Sequence, residues 1–149
     1  MSKILVINDD EAKYFMALAA KGDKREIVVA SSAEEAILLI QQHNFDVIIT
    51  DQRMETARSG IDVLIAAKKK DVHCQVIVVT AYGTPEVSIE AMRLGAFDYL
   101  ERSTAYMDSL TIIKHKITLA LEFREAKLNS SSTQNTQYLS GAKDDEIFL

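Results

Sequence analysis

Three carboxylates, one hydroxyl and one guanidinium stand out for where they fall in the chain. Asp9 and Asp10 follow the apolar run Ile4-Leu5-Val6-Ile7, Asp51 follows Val47 to Ile49, Thr80 closes Val76 to Val79, and Arg102 lies just past Phe97 to Leu100. If these runs are parallel strands, all five residues meet at the carboxyl edge of one sheet, where open α/β sheets bind their ligands. Carboxylates gathered there repel one another and raise at least one pKa unless a cation offsets the charge. A hard divalent ion is implied, and Mg²⁺ suits the place because it takes oxygen ligands, keeps several waters and uses one or two carboxylates beside a phosphate oxygen. The Thr80 hydroxyl and the Arg102 guanidinium would hold the other phosphate oxygens. One Asp at a strand end is commonly just a helix cap, and Asp10 before Glu11 also has that reading. Five positions converging under one topological rule outweigh it.

The elements that must carry these residues are legible in the periodicity. Ile4 to Ile7, Ile27 to Val29, Val47 to Ile49, Val76 to Val79 and Phe97 to Leu100 read as five strands, apolar without polar alternation, as a parallel sheet covered on both faces requires. Between them lie helical segments. Ser32 with Glu35 makes a capping box for a helix ending near His43, and Thr84-Pro85 caps another that stops at Gly95. Further helices are expected at Glu11 to Ala20, Ile61 to Lys70 and roughly Met107 to Lys127. Five alternations of strand and helix predict an α/β domain with a parallel sheet. Residues 129–137 hold only Asn, Ser, Thr and Gln. The division expected is a domain over 1–128 and a polar linker or disordered tail over 129–149, cut before another domain or simply floppy.

Composition narrows the function classes. With 149 residues, 48% hydrophobic, 26% charged and a formal net charge of -5, the chain fits one globular domain and not a surface built to hold nucleic acid. The single cysteine, Cys74, excludes an internal disulfide, and no Cys/His cluster has zinc spacing. No signal peptide or membrane span is expected, and cytoplasm is the default location.

The motifs together resemble the receiver domains of two-component response regulators over about residues 3 to 127. The resemblance rests on Ile4 to Ile7 followed by Asn8-Asp9-Asp10-Glu11, on Asp46-Val47-Ile48-Ile49-Thr50-Asp51 with Met54 three residues on, on Val79-Thr80-Ala81, and on Gly95-Ala96-Phe97-Asp98-Tyr99-Leu100. It implies a flavodoxin-like (βα)5 fold, doubly wound, with strand order 2-1-3-4-5. Asp51 would be the phosphoacceptor, taking a phosphoryl group from a sensor histidine kinase or phosphotransfer protein. Asp10, Asp51 and the Arg53 carbonyl would be Mg²⁺ ligands, with Asp9 acting through a metal-bound water. Thr80 would bond a phosphoryl oxygen and move, freeing space for Tyr99 to rotate inward and alter the surface of the fourth helix, fifth strand and fifth helix. Such a chain is not an enzyme beyond its own phosphorylation and dephosphorylation.

Three departures from the family pattern matter. Arg102-Ser103 stands where Lys-Pro is usual, so the planar fork of Arg102 either clamps the phosphate or points into solvent. Without the proline, a cis bond before Ser103 would cost ~3 kcal/mol, so a trans bond with a rearranged loop, or a strained one, is expected. The loop after Asp51 carries Glu55 where proline is frequent and Gly60 one residue late, which predicts a more mobile loop. Arg53 and Tyr82 flank the path of hydrolytic water, and their bulk predicts slow self-dephosphorylation.

In the last helix, Leu110, Ile113, Ile117 and Leu121 should face the sheet, while Ile112, Leu119 and Phe123 form a second apolar strip. That strip predicts a partner surface, with a homodimer through the fourth and fifth helices as the expectation. The segment from Gly95 to Glu101 most resembles the receivers of enhancer-binding transcription activators, which place an AAA+ ATPase after the linker. The main rival is a degenerate pseudo-receiver, a pure binding module locked by an Arg102–Asp51 ion pair. A flavin module is disfavoured by the acidic Asn8-Asp9-Asp10-Glu11 turn. A haloacid-dehalogenase-type phosphohydrolase is disfavoured because Arg53 stands where its acid/base Asp would be.

Overall fold

The computed structural model describes residues 1–81, 83–102 and 106–139. Five strands, β1 (Ser2–Ile7), β2 (Arg25–Ala30), β3 (Val47–Asp51), β4 (Gln75–Thr80) and β5 (Asp98–Glu101), alternate with five helices. These are α1 (Ala12–Ala20), α2 (Ala33–Gln42), α3 (Ser59–Lys70), α4 (Pro85–Arg93) and α5 (Tyr106–Leu139). The sheet is parallel throughout, in the order β2-β1-β3-β4-β5. Reversal of strand order beside β1 leaves a crevice at the carboxyl ends of β1 and β3, the place where such sheets bind ligands.

The pleat explains why the strand runs carry no polar alternation. Leu5, Ile7, Ile48, Val76 and Val78 point into the core beneath α2, α3 and α4, whereas Ile4, Val6, Val47, Ile49 and Ile77 point into the core beneath α1 and α5. Both faces are covered, so the central positions of β1, β3 and β4 are apolar on both sides. On α5, Ile113 and Ile117 are buried and Leu110 and Leu121 pack against the same core, which is the stripe the spacing predicts. Ile112 and Phe123 are exposed.

The helix caps form from the residues that propensity favours. Ser32 Oγ accepts the Glu35 N–H at 3.0 Å, and Glu35 Oε1 accepts the Ser31 N–H at 2.8 Å. Thr84 Oγ1 accepts the Val87 N–H at 3.3 Å with Pro85 at the first helical position, and Gly95 closes α4 at φ +99°. The last helix differs from expectation: it passes Lys127 and runs on to Leu139, through the segment whose composition suggests a linker. That segment holds neither Gly nor Pro, and adding residues to an existing helix is far easier than nucleating one.

Arg124 fastens the distal part of α5 to the edge of the sheet remote from the crevice. Its Nε donates to Asp46 Oδ1 at 2.8 Å and its Nη1 to Asp71 Oδ2 at 2.9 Å. Asp46 Oδ2 also accepts the Lys3 N–H, and Asp71 Oδ1 the His73 N–H. Burial alone would raise the Asp71 pKa, but the His73 amide and Arg124 hold it below the usual carboxylate range. Stability from Asp71 is therefore present at neutral pH and is lost as pH falls below about 4. Arg124→Met should cost about 1–2 kcal/mol in urea unfolding at pH 7, because it strands two partly buried carboxylates. The difference should shrink in the same experiment at pH 3.

Cys74 lies in the core beneath α3, 3% exposed, and burial pushes its thiol up to about 12. A thiol held neutral and covered is a poor nucleophile. Iodoacetamide should leave the native protein unmodified over hours and alkylate it readily in urea, read by intact mass.

Candidate functional site

The crevice is built by strand ends. Ile7, Asp51 and Thr80 are the last residues of β1, β3 and β4, and Arg102 follows β5. The Arg102 N–H donates to the Thr80 carbonyl at 2.6 Å, extending the ladder one step past the Thr80↔Glu101 pair. Thr80 is 2% exposed, Asp51 and Arg102 are half-buried, and Asp9 and Asp10 are exposed.

Asp51 accepts the Gln52 N–H on Oδ1 at 2.8 Å. Burial pushes its pKa up to about 6; the Gln52 amide and the Arg102 charge pull against this, and the Asp9 charge adds to it. Arg102 thus bears on Asp51 through space. Among the described residues the ion pairs within 4.0 Å are Arg58–Glu90, Lys116–Asp98 and the two of Arg124, so the Arg102–Asp51 lock of a pseudo-receiver is not formed.

The acidic turn after β1 departs from the expected trio. Buried Asn8 accepts the Asp10 N–H on Oδ1 at 2.9 Å, and Asp10 Oδ1 accepts the Ala12 N–H at 2.7 Å. Asp10, one residue before the N-cap Glu11, thus satisfies the first amide of α1, one of those a helix leaves unpaired. Among the described residues no three His, Cys, Asp or Glu side chains gather closely enough to hold a metal ion by themselves, so a cation here would draw on backbone carbonyls and water as well as carboxylates. The donors offered by Asp9, Asp10 and Asp51 are all hard oxygens. The charge of Asp9 on Asp51 is of the kind a divalent cation relieves, so the residues fit a hard divalent ion with water completing its shell. Beside them, Asp10, Glu11, Ala12, Phe15 and Arg102 line an open cleft of about 610 Å³.

Tyr99 lies inward, packed with Met54 and Val87 against the core beneath α2, α3 and α4. Its hydroxyl is buried. A Cβ on Gly83 would meet Tyr99 Cε1 at 3.1 Å and both Thr80 Cγ2 and the Tyr99 hydroxyl at 3.4 Å. Glycine there lets Tyr99 and Thr80 crowd one point. Tyr82 and the peptide before Ser103, expected as a trans bond with a rearranged loop or as a strained one, lie outside the described residues.

The loop from Gln52 to Arg58 is tied where the missing proline predicts mobility. Glu55 accepts the Ala33 N–H on Oε1 at 2.9 Å and the Glu34 N–H on Oε2 at 3.0 Å, so it hangs on the start of α2. Gln52 Nε2 donates to the Ala57 carbonyl at 2.5 Å, and the Gly60 N–H to the Gln52 carbonyl at 2.9 Å. At the far end Arg58 forks onto Glu90 of α4 at 2.9 and 2.6 Å. Asn8, Glu55 and Gly83 escaped the reading of site residues from sequence. Their roles come from backbone amides and ring contacts supplied by other elements, and only the oddity of Glu55 at a proline position left a trace.

A family model for the response regulator receiver domain matches residues 4–114. The chain belongs to this family. This receiver is 32% identical over 124 residues to a cyclic di-GMP phosphodiesterase of Thermotoga maritima, covering 83% of this chain and 32% of that one. It is 32% identical over 98 residues to the transcriptional regulatory protein ZraR of Escherichia coli, covering 65% and 22%. Such curated relatives are longer proteins, of which the receiver spans a third or less. Among solved structures, a receiver domain protein from Clostridium thermocellum matches at TM-score 0.67 and 30% identity over 84% of this chain and 98% of that one. The beryllofluoride-activated NtrC4 receiver dimer matches at TM-score 0.65 and 25% identity over 80% and 99%. Among the described residues no helix of the receiver is long and apolar enough to cross a membrane.

Proposed function

We propose that this receiver accepts a phosphoryl group on Asp51 from a phosphohistidine of a sensor kinase or phosphotransfer protein and works as a two-state switch in the cytoplasm. The observation that supports it most is Asp51 itself: a half-buried carboxylate at the end of β3, destabilised by burial and by Asp9, with the Arg102 charge acting in the opposite sense. A carboxylate so placed gains from any arrangement that brings in compensating positive charge. In the transfer, an Asp51 oxygen bonds to phosphorus as the phosphorus–nitrogen bond to the imidazole breaks, giving an acyl phosphate. The chain's part is to position and to stabilise charge: Thr80 Oγ1 donates to a phosphoryl oxygen, and Arg102 offsets the added negative charge. Asp10, Asp51 and the Arg53 carbonyl would hold Mg²⁺, with Asp9 reaching it through water. When bound, the ion neutralises the carboxylates and the incoming phosphoryl oxygens. Asp10 Oδ1 accepts the Ala12 amide, which leaves Oδ2 for the ion.

The readout would be the face of α4, β5 and α5. Ile89, Met92 and Leu94 at α4 and Ile112 on α5 are exposed apolar side chains, which supports a homodimer on that face. The activated dimer of the NtrC4 receiver is a precedent in a similar chain. We read residues 1–128 as the switch and 129–149 as a polar linker or tail, into which α5 continues as far as Leu139. Nothing in this reading requires turnover of an external substrate or contact with nucleic acid or a membrane. The test is intact mass after incubation with acetyl phosphate, with and without Mg²⁺. A Mg²⁺-dependent gain of about 80 Da, one phosphoryl group, supports the reading. No gain from acetyl phosphate or from a phosphorylated kinase panel, in folded protein, would favour a pseudo-receiver, for which the exchange of the usual lysine for Arg102 is the specific argument.

A further inference from the structure

Glu55 lies four residues after Asp51, yet its carboxylate acts on a different part of the chain. Its two oxygens reach 22 and 21 residues back to the Ala33 and Glu34 amides, at 2.9 and 3.0 Å. With the Glu35 amide held by Ser32 Oγ, the first three N–H groups of α2 are each matched by a side chain. Two of these amides are matched by a single side chain of the acceptor loop, Glu55. That loop is itself a closed frame: the Gln52 side-chain amide donates to the Ala57 carbonyl, the Gly60 N–H returns to the Gln52 carbonyl, and Ser59 Oγ takes the Thr56 N–H. Ser59 Oγ also lies 3.5 Å from Glu55 Oε1. Arg53 and Met54 are thus held between a frame anchored at Gln52 and a side chain anchored on α2. A proline at 55 would fix one φ angle. Glu55 instead fixes the loop relative to a neighbouring element, a constraint that acts on the backbone beside Asp51.

We propose that Glu55 is a positioning residue for the phosphoacceptor: by clamping the β3–α3 loop to the start of α2 it holds the Arg53 backbone where phosphoryl transfer to Asp51 needs it. The proposal rests on the reading of Asp51 as the acceptor. Glu55 touches neither the phosphoryl group nor its proton. It works through the loop, where displacements of about 1 Å change rates by up to ~100-fold.

The experiment compares the full chain with Glu55→Ala, Glu55→Gln and Ser32→Ala. Ser32→Ala removes a cap from the same helix without touching the loop. Two quantities are read: the rates of acetyl phosphate uptake and acyl-phosphate loss with Mg²⁺, and hydrogen exchange over residues 52–58 in metal-free protein. Glu55→Ala should slow uptake at least about fivefold and speed exchange over 52–58 at least about tenfold. Glu55→Gln, which keeps one acceptor oxygen, should fall between. Ser32→Ala should stay within about twofold of wild type in both, although it weakens α2. If Glu55 were a helix cap and nothing more, Glu55→Ala and Ser32→Ala would behave alike, and that result overturns the proposal. So does a Glu55→Ala chain that reacts, decays and exchanges as wild type does. A wild-type chain that takes up no phosphoryl group overturns the acceptor reading and the proposal with it, so the two failures are distinct.

Discussion

Asp51→Asn is expected to abolish Mg²⁺-dependent phosphoryl uptake and at the same time to stabilise the fold near neutral pH by about 1–2 kcal/mol. The first effect follows from losing the nucleophile, since an amide oxygen forms no stable acyl phosphate. The second follows from the pKa of about 6, raised chiefly by burial. A carboxyl that holds its proton more tightly folded than unfolded makes stability fall as pH rises from about 4 to about 6, and the full penalty is present at pH 7. A displacement of about two pKa units corresponds to roughly 3 kcal/mol. Because Asp51 is only half-buried, solvent screening reduces that figure, hence the smaller value expected. The asparagine variant carries no such charge, so urea midpoints of the two proteins should differ at pH 7 and converge near pH 4. Convergence at every pH would mean that Asp51 is not strained in the folded state. Saturating Mg²⁺ should stabilise wild type and leave Asp51→Asn almost unmoved, a readout that needs no phosphoryl donor.

Gly60→Ala is the second large effect expected, a loss of about 2–3 kcal/mol in unfolding free energy together with loss of phosphoryl uptake. A Cβ at position 60 would stand 2.6 Å from the Asp51 carbonyl oxygen and 2.8 Å from Gln52 Cα, and backbone of that kind has nowhere to go. The first turn of α3 would have to back away, breaking the bond from the Gly60 N–H to the Gln52 carbonyl and turning the acceptor. The sequence registers Gly60 only as a glycine arriving one residue late. The structure gives the reason: Gly60 is where α3 crosses the end of β3 at closest approach. A Gly60→Ala chain with wild-type stability and uptake would show that the crossing relaxes without consequence.

The two variants separate charge from shape at one site. Asp51→Asn should gain stability and lose function, whereas Gly60→Ala should lose both. That pattern is expected where a site holds a strained, repelled carboxylate inside an otherwise well-packed frame.

The chain's local pattern determined most of the architecture. Unbroken apolar runs at Ile4 to Ile7 and Val76 to Val79 demanded a sheet covered on both faces, and the pleat now sends Leu5 and Ile7 one way and Ile4 and Val6 the other. Ser32, Thr84 with Pro85, and Gly95 fixed helix ends through bonds made within a few residues, which is why they were legible. The same reasoning found the edge where Asp51, Thr80 and Arg102 meet, because a topological rule turns strand ends into neighbours. What the sequence left open was settled by which partner the folded chain brings within reach, near in sequence or far. Asp10 Oδ1 turns to the Ala12 amide at the start of α1, the capping role that the sequence offered beside that of metal ligand. Glu55 ties down a loop whose composition suggests freedom, because the start of α2 offers two unpaired amides beside it. The last helix runs through a polar stretch because propagation tolerates residues that would never start a helix. Periodicity and caps are local and survive in one dimension; the partner of a carboxylate is chosen by which donor the fold brings nearest.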